Sequence, residues 1–368
     1  MRLIHPENLE DIALGATVLG TGGGGDPYVG KLMALQAIRR SGPVQLVDPS
    51  EVDDDAIIAH TAMMGAPTVM VEKLPNGREI EHALLSLQSY LGKKIDYTTS
   101  AEAGGINSTI PFTVAARLGL PMVDADGMGR AFPELQMVTP TLYGISATPM
   151  AIADEKGNSA VINAPTNRWT ETMARTITID MGSTALIALY PMTGRQLKEA
   201  MIGGTLTRAE TIGRTLREAR EGHRDPIEAL LRVTGGFEVF CGKVQDVRRR
   251  TERGFARGEA TIEGLDEDES SKLVLHFQNE NLVAIRDGEI IVSVPDLITV
   301  LDAETGDPIT TEGLRYGFRV VVIGIPSHPK WRSPMGLEIV GPRYFGYDID
   351  YVPIEERFAD RGREGGRR

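Results

Sequence analysis

The chain has 368 residues and carries 51 acidic against 39 basic side chains, a formal net charge of -12. Such a balance repels phosphate backbones and anionic lipid; the densest basic cluster, Arg248, Arg249, Arg250 and Arg253, is followed by acidic Asp266 to Glu269 and reads as a solvated face, so neither nucleic acid nor membrane is expected as a partner. No stretch approaches the roughly 18 apolar residues of a membrane span, the N-terminus lacks an apolar signal core, and one cysteine, Cys241, leaves no intramolecular disulfide and no multi-cysteine metal site; a cytoplasmic protein and a homo-oligomer are expected.

At roughly 150 residues per domain, the length predicts two domains and a smaller third element. Leu9, Ile12, Ala13, Ala16 and Leu19 recur at helical spacing, and Gly20 opens the run Gly20-Thr21-Gly22-Gly23-Gly24-Gly25-Asp26-Pro27. Asp26 and Pro27 suit the N-cap and first position of a helix bearing Leu32, Met33, Leu35 and Ile38. Apolar runs at Val44 to Val47, Ala56 to Ala59, Thr68 to Val71 and Ile95 to Thr98 alternate with helical stretches near 79–92 and 109–118. That alternation predicts βα units and a largely parallel sheet. Residues 166–235 read as mostly helical, with Thr207 and Glu210 as a capping box and Asp225-Pro226 starting a helix that Gly235-Gly236 ends. From Phe237 short β-rich runs alternate with Gly, Asn and Asp turns, and Cys241 reads as an inert core residue. The expected organisation is an α/β domain over 1–180 bearing the site, a helical connection over 181–235, a mainly β domain over 236–358, and a disordered tail over 359–368.

Ligands of such sheets sit beyond the carboxyl ends of strands, and three loops there carry chemistry. In the glycine run, Gly20, Gly22 and Gly25 satisfy G-x-G-x-x-G with Asp48 about 20 residues on, the basis of a nucleotide-binding oxidoreductase reading. Asp26 and Pro27 replace the Lys and hydroxyl of a P-loop, and close backbone approach to a ligand by Gly22, Gly23, Gly24 and Gly25 beside Asp26 is the preferred alternative. In the second loop, Glu102 can serve as base or ligand, Gly104 and Gly105 admit a substrate to backbone N–H groups, and Asn107 can cap a helix or bind substrate. The third, Asp124-Ala125-Asp126-Gly127-Met128-Gly129-Arg130 through Glu134 and Gln136, places two carboxylates to share a cation or a proton, with Arg130 holding them ionised or anchoring a substrate anion. His60 is the candidate to join this site, as a ligand completing a divalent metal site, zinc for instance, with Asp124 and Asp126, or as an acid, against the structural role of most lone histidines.

These three loops, above all Asp124 to Met137, resemble the S-methyl-thiohydantoin desulfurase-like family, formerly a domain of unknown function associated with hydantoinase/oxoprolinase proteins. The resemblance extends through Phe277-Gln278-Asn279-Glu280-Asn281, Pro295-Asp296-Leu297 and Tyr316-Gly317. It implies a hydrolase that removes a sulfur leaving group from a five-membered heterocyclic substrate to give a hydantoin, with a hydantoinase as a possible partner. In that mechanism Asp124 or Asp126 activates water, alone or through a metal, Glu102 is a second ligand or proton shuttle, and glycine N–H groups with Arg130 hold the ring. A non-catalytic accessory subunit of a hydantoinase is the other reading.

Overall fold

The structure is a computed structural model that describes residues 1–65, 69, 73, 75–252 and 254–359. The strand expected at Thr68 to Val71 falls, but for residue 69, outside them, as do residue 253 and the tail from 360 onward. Two eight-stranded sheets organise the chain. The first contains β1 (Arg2–Ile4), β2 (Val44–Val47), β3 (Ile57–Gly65), β4 (Tyr97–Ser100) and β5 (Met122–Val123). After the two-residue strand β6 (Ala125–Asp126), β7 (Met150–Ala153), β8 (Ser159–Ile162) and β9 (Thr184–Thr193) complete it, in the order β1-β2-β5-β4-β3-β9-β7-β8.

Only β2, β5, β4 and β3 run parallel. The other pairings are antiparallel, so the sheet is mixed rather than largely parallel. The strand that makes the difference is β9, which lies in a stretch expected to be helical and to connect the domains. Thr184 to Tyr190 is buried on both faces between β3 and β7, and a continuously buried strand carries no alternation to distinguish it from a buried helix.

The strand β10 (Ile202–Gly203) pairs antiparallel with the distant β6 and leads into the helix Thr205–Glu221. The expected capping box at Thr207 and Glu210 does not form. The N-cap is Gly204, without a side-chain cap, and Glu210 binds Asn8 and Arg2 instead. The helix Pro226–Thr234 does begin at Asp225, whose carboxylate accepts from the N–H groups of Ile227 and Glu228, and it ends at Gly235 in the left-handed conformation.

The second sheet is antiparallel throughout: β11 (Phe237–Glu252), β12 (Phe255–Gly264), β13 (Lys272–Gln278), β14 (Glu280–Arg286), β15 (Glu289–Ser293), β16 (Leu297–Asp302), β17 (Pro308–Ile309) and β18 (Arg319–Ile325), ordered β15-β14-β13-β12-β11-β18-β16-β17. Cys241, expected in the core, is only partly buried on β11. Burial and the nearby Asp266, Glu238 and Asp268 push its thiol up, away from the nucleophilic thiolate. No helix among the described residues is long and apolar enough to cross a membrane.

What joins the sheets is a pair of helices. Ala16, Val18 and Leu19 of the helix Asn8–Leu19, with Ala209, Ile212 and Leu216 of Thr205–Glu221, share one apolar cluster with Leu297, Leu301, Val321 and Ile323 of the second sheet. The two helices cross backbone to backbone. A Cβ on Gly15 would lie 1.8 Å from the Ala209 carbonyl oxygen, and one on Gly213 would lie 1.9 Å from that of Asp11. Arg217 closes the crossing with two 2.9 Å hydrogen bonds to Asp11. Gly213→Ala is therefore expected to destabilise the protein by about 1–3 kcal/mol through overpacking, read as a lowered Tm in a thermal melt; an unchanged Tm would show that the crossing tolerates a side chain.

Candidate functional site

The loop after β4 begins at Ser100, whose hydroxyl donates to the carbonyls of Glu102 and Asn107 and so closes the loop on itself. Asn107 is not a helix cap. Its Oδ1 accepts from the Met63 N–H at 2.7 Å, and its Nδ2 donates to the Met63 carbonyl and, at 2.7 Å, to Glu102 Oε1. One amide thus locks the end of β3 to the loop and aims the Glu102 carboxyl.

The glycine run lies between two helices rather than after a strand, so it lacks the context of a dinucleotide fingerprint. Asp48 caps the short helical turn Pro49–Glu51. Asp26 is an exposed N-cap that accepts from the Tyr28 N–H. The glycines serve close packing. A Cβ on Gly24 would stand 2.6 Å from Gly104 Cα, one on Gly105 would stand 2.4 Å from the Gly25 carbonyl oxygen, and one on Gly23 would stand 2.0 Å from Glu280 Oε1. The loop's backbone is thereby laid directly against Gly104-Gly105 on one side and Glu280 on the other.

No local chemical motif marks Glu280; it stands out only within Phe277-Gln278-Asn279-Glu280-Asn281, the stretch that carries the resemblance. It starts β14 after a tight turn in which Asn279 takes a positive φ of 59°. Asn279 fixes the turn by accepting from the Ala256 N–H through its side chain and donating its own N–H to the Ala256 carbonyl. Asn281 donates its N–H to the Thr21 carbonyl and its side-chain amide to that of Ile298. The usable signal was the run Gln278-Asn279-Glu280-Asn281: four polar residues with no glycine between two apolar strands demand partners.

Glu102 and Glu280 line one pocket with Gly24, Asn107, Met128, Glu134, Arg175 and Asn279, its apolar wall including Met63, Met64, Phe132 and Leu135. Its empty volume is about 610 Å³, within the range of small-molecule sites. Burial pushes Glu102 up to about 7, opposed by the Asn107 hydrogen bond and reinforced by Asp126. Burial and then Glu102 itself push Glu280 well above the usual carboxylate range. Arg130 is held down to about 10 by burial, and Glu280, Asp296 and Glu102 oppose that shift. Two desolvated carboxyl groups facing each other retain a proton. The ionised partner is then a base and the protonated one an acid.

The other expected site residues are dispersed. Arg130 is fully buried and donates to the Pro295 and Asp296 carbonyls at 2.8 Å, to that of Ala131 and to the Thr21 hydroxyl. Those donors are spent on the protein rather than on a substrate anion. Glu134 reaches the pocket and accepts from the Tyr344 hydroxyl and the Gln136 amide. Asp124 caps a helix from afar: its carboxylate accepts from the N–H groups of Leu206 and Thr207 and from the Thr207 hydroxyl. Asp126 accepts from the N–H groups of Met128 and Gly129 as a turn residue, and burial pushes it up to about 6. His60 is buried in β3 against Tyr190, at 5.6 Å between ring centroids, and burial depresses it to about 3, so it stays neutral. Asp124, Asp126 and His60 therefore do not fit a zinc ion. Among the described residues no group of three or more His, Cys, Asp or Glu side chains is placed to hold a metal.

Residues 7–164 match the family model described as S-Me-THD-like, N-terminal domain, and residues 165–354 match S-Me-THD-like, C-terminal domain. A search of the curated proteins returns no match. Among solved structures, the X-ray crystal structure of a protein from Chromobacterium violaceum, determined in structural genomics work, is similar with a TM-score of 0.80, 25% identity, and coverage of 96% of this chain and 100% of that one.

Two outcomes follow from the geometry. Gly23→Ala should displace the Glu280 carboxyl and lower turnover at least tenfold; a variant with wild-type turnover would separate the glycine run from the site. Asp124→Ala removes a helix cap, about 0.5–2 kcal/mol, so its Tm should fall while the folded protein keeps its activity. Loss of activity at an unchanged Tm would make Asp124 a site residue after all.

Proposed function

Because this chain belongs to the S-Me-THD-like family, we propose that it is a hydrolase that replaces a sulfur substituent on a five-membered thiohydantoin-type ring with oxygen, giving a hydantoin and a thiol. The observation that carries this reading is the pairing of Glu102 and Glu280, two buried carboxyl groups whose proton affinities burial raises and each other's charge couples, in one small-molecule pocket. Coupled pairs of this kind lose their protons in two steps, so one carboxyl serves as base while the other serves as acid.

The ionised Glu102 takes a proton from water, whose oxygen attacks the ring carbon between the two nitrogens. The electron pair of the C=N bond moves to nitrogen, which takes the proton held by Glu280. The tetrahedral intermediate carries hydroxyl, sulfur and two nitrogens on one carbon. Its C–S bond breaks, sulfur leaves with the electron pair and takes the proton from Glu102, and the hydroxyl proton returns to Glu280 as the C=O forms. One water enters, one thiol leaves, and both carboxyl groups recover their starting states. Asn107 fixes the Glu102 oxygen that it touches as an acceptor, which directs the proton to the other. Met63, Met64, Met128 and Phe132 supply an apolar wall against the ring and its sulfur substituent, and Gly24 lines the same pocket.

The test is release of thiol from an S-methyl-thiohydantoin, followed against pH. Because Glu102 must be ionised, kcat/KM should rise with pH through about 7 and fall at higher pH as Glu280 loses its proton. Glu102→Gln should cost about 10²- to 10⁴-fold in rate and abolish the rising limb. Stability carries the opposite sign. Glu102 binds its proton more tightly folded than unfolded, so its contribution is complete below the ordinary value of 4.5 and is lost as pH rises through about 7. Glu102→Gln should remove that decline. Thiol release by the variant at the wild-type rate would overturn the assignment.

A further inference from the structure

A second concavity lies on the far sheet, behind the turn that carries Glu280. Its empty volume is about 910 Å³, and its lining includes Arg248, Arg250, Arg257, His276, Phe345 and Tyr347. Strand register explains how the charges meet. Arg250 on β11 stands directly opposite Arg257 on β12, which stands opposite Gln278 on β13. Two residues along on the same face, Arg248 stands opposite Glu259, and Glu259 opposite His276.

Like charges directly opposite one another on a sheet destabilise it, and the neighbouring acids only partly relieve them. Arg248 is shared between Asp246 and Glu259, and Arg250 reaches Glu252 at 3.2 Å in a largely exposed pair, worth little in water. The Arg257 side chain makes no ion pair and no hydrogen bond with another described residue. Beside these arginines the lining is aromatic: the Tyr347 hydroxyl meets His276 Nδ1 at 3.1 Å, with the rings 5.9 Å apart and inclined by 31°, and Phe345 lines the same groove. An acidic chain has thus placed two guanidinium forks and flat rings in one groove, with no counter-ion among the described residues for one of them.

We propose that this groove is a binding site for a phosphate-bearing small molecule with a planar ring, the phosphate held between Arg250 and Arg257 and the ring laid against Tyr347 and Phe345. Two guanidinium forks offer more donors than the two oxygens of a carboxylate can accept, whereas a phosphate dianion presents three oxygens and neutralises both charges. Flat rings favour stacking of a planar group. The site is separate from the Glu102–Glu280 pocket and does not depend on its chemistry, although Gln278 lines the groove while Asn279 and Glu280 line the pocket.

The experiment is calorimetric titration of the full chain with inorganic phosphate and with AMP at fixed ionic strength. AMP should bind at one site per chain and at least tenfold more tightly than phosphate. Arg250→Ala with Arg257→Ala should weaken AMP at least tenfold without lowering Tm, since the exchange relieves an opposed like-charge pair. Tyr347→Leu should remove the advantage of AMP over phosphate. Arg39→Ala with Arg40→Ala, exposed on the helix Pro27–Ser41, should leave binding unchanged. The proposal is overturned if neither probe saturates, if the Arg250/Arg257 variant binds as the wild type does, or if the Arg39/Arg40 variant weakens binding equally.

Discussion

A buried guanidinium organises this protein. Arg130 is among the largest fully buried side chains, and a desolvated cation is tolerable only with full hydrogen bonding and opposite charge nearby. Its donors satisfy carbonyls at the start of β16's approach, at Pro295 and Asp296, and the Thr21 hydroxyl of the glycine run. Its flat face lies over Phe132, 4.4 Å from the ring centroid. Three remote segments are therefore fixed to one planar group. The balancing charges are Glu280, Asp296 and Glu102. Asp296 is consumed by the fold, accepting from Ser327, Tyr351, Ile354 and Arg332. That leaves Glu102 and Glu280 as the carboxyl groups whose protonation can change while the cation stays in place.

Around that cation the glycine loops act as spacers of zero thickness. Gly23 leaves room for Glu280, and Gly24 and Gly105 let two backbones touch. The aspartates nearby follow the complementary rule: Asp26, Asp48 and Asp124 all accept from backbone N–H groups at helix starts, where a carboxylate meets unsatisfied donors and the positive end of the helix dipole.

Local signals in the sequence were enough for the elements with clean periodicity. The helix Asn8–Leu19, the Asp26 and Asp225 caps and the mainly β character of the second half were all legible, as was the loop that carries Glu102 just beyond β4. Long-range chemistry was not. Asp124 and Asp126 resemble an acid pair because a remote helix cap and a turn aspartate look alike when the partner, Leu206 or Thr207, is some eighty residues away. Glu280 was hidden for the converse reason. Its carboxyl reaches the pocket only where the second sheet meets the glycine run, and no spacing along the chain encodes that meeting. The strand β9 misled because every residue from Thr184 to Tyr190 is buried, which erases the period of two.

That same strand bears on how separable the two halves of the chain are. The matched family segments divide at residues 164 and 165, yet β9 belongs to the later segment and lies in the middle of the earlier one's sheet, between β3 and β7. A fragment ending at the division would expose two apolar strand edges, from β3 and from the β7–β8 hairpin, and open edges of that kind recruit other chains. The matched segments are thus not units of folding: a cut that leaves the first sheet whole has to fall after β9, so a piece that folds by itself runs past the seam.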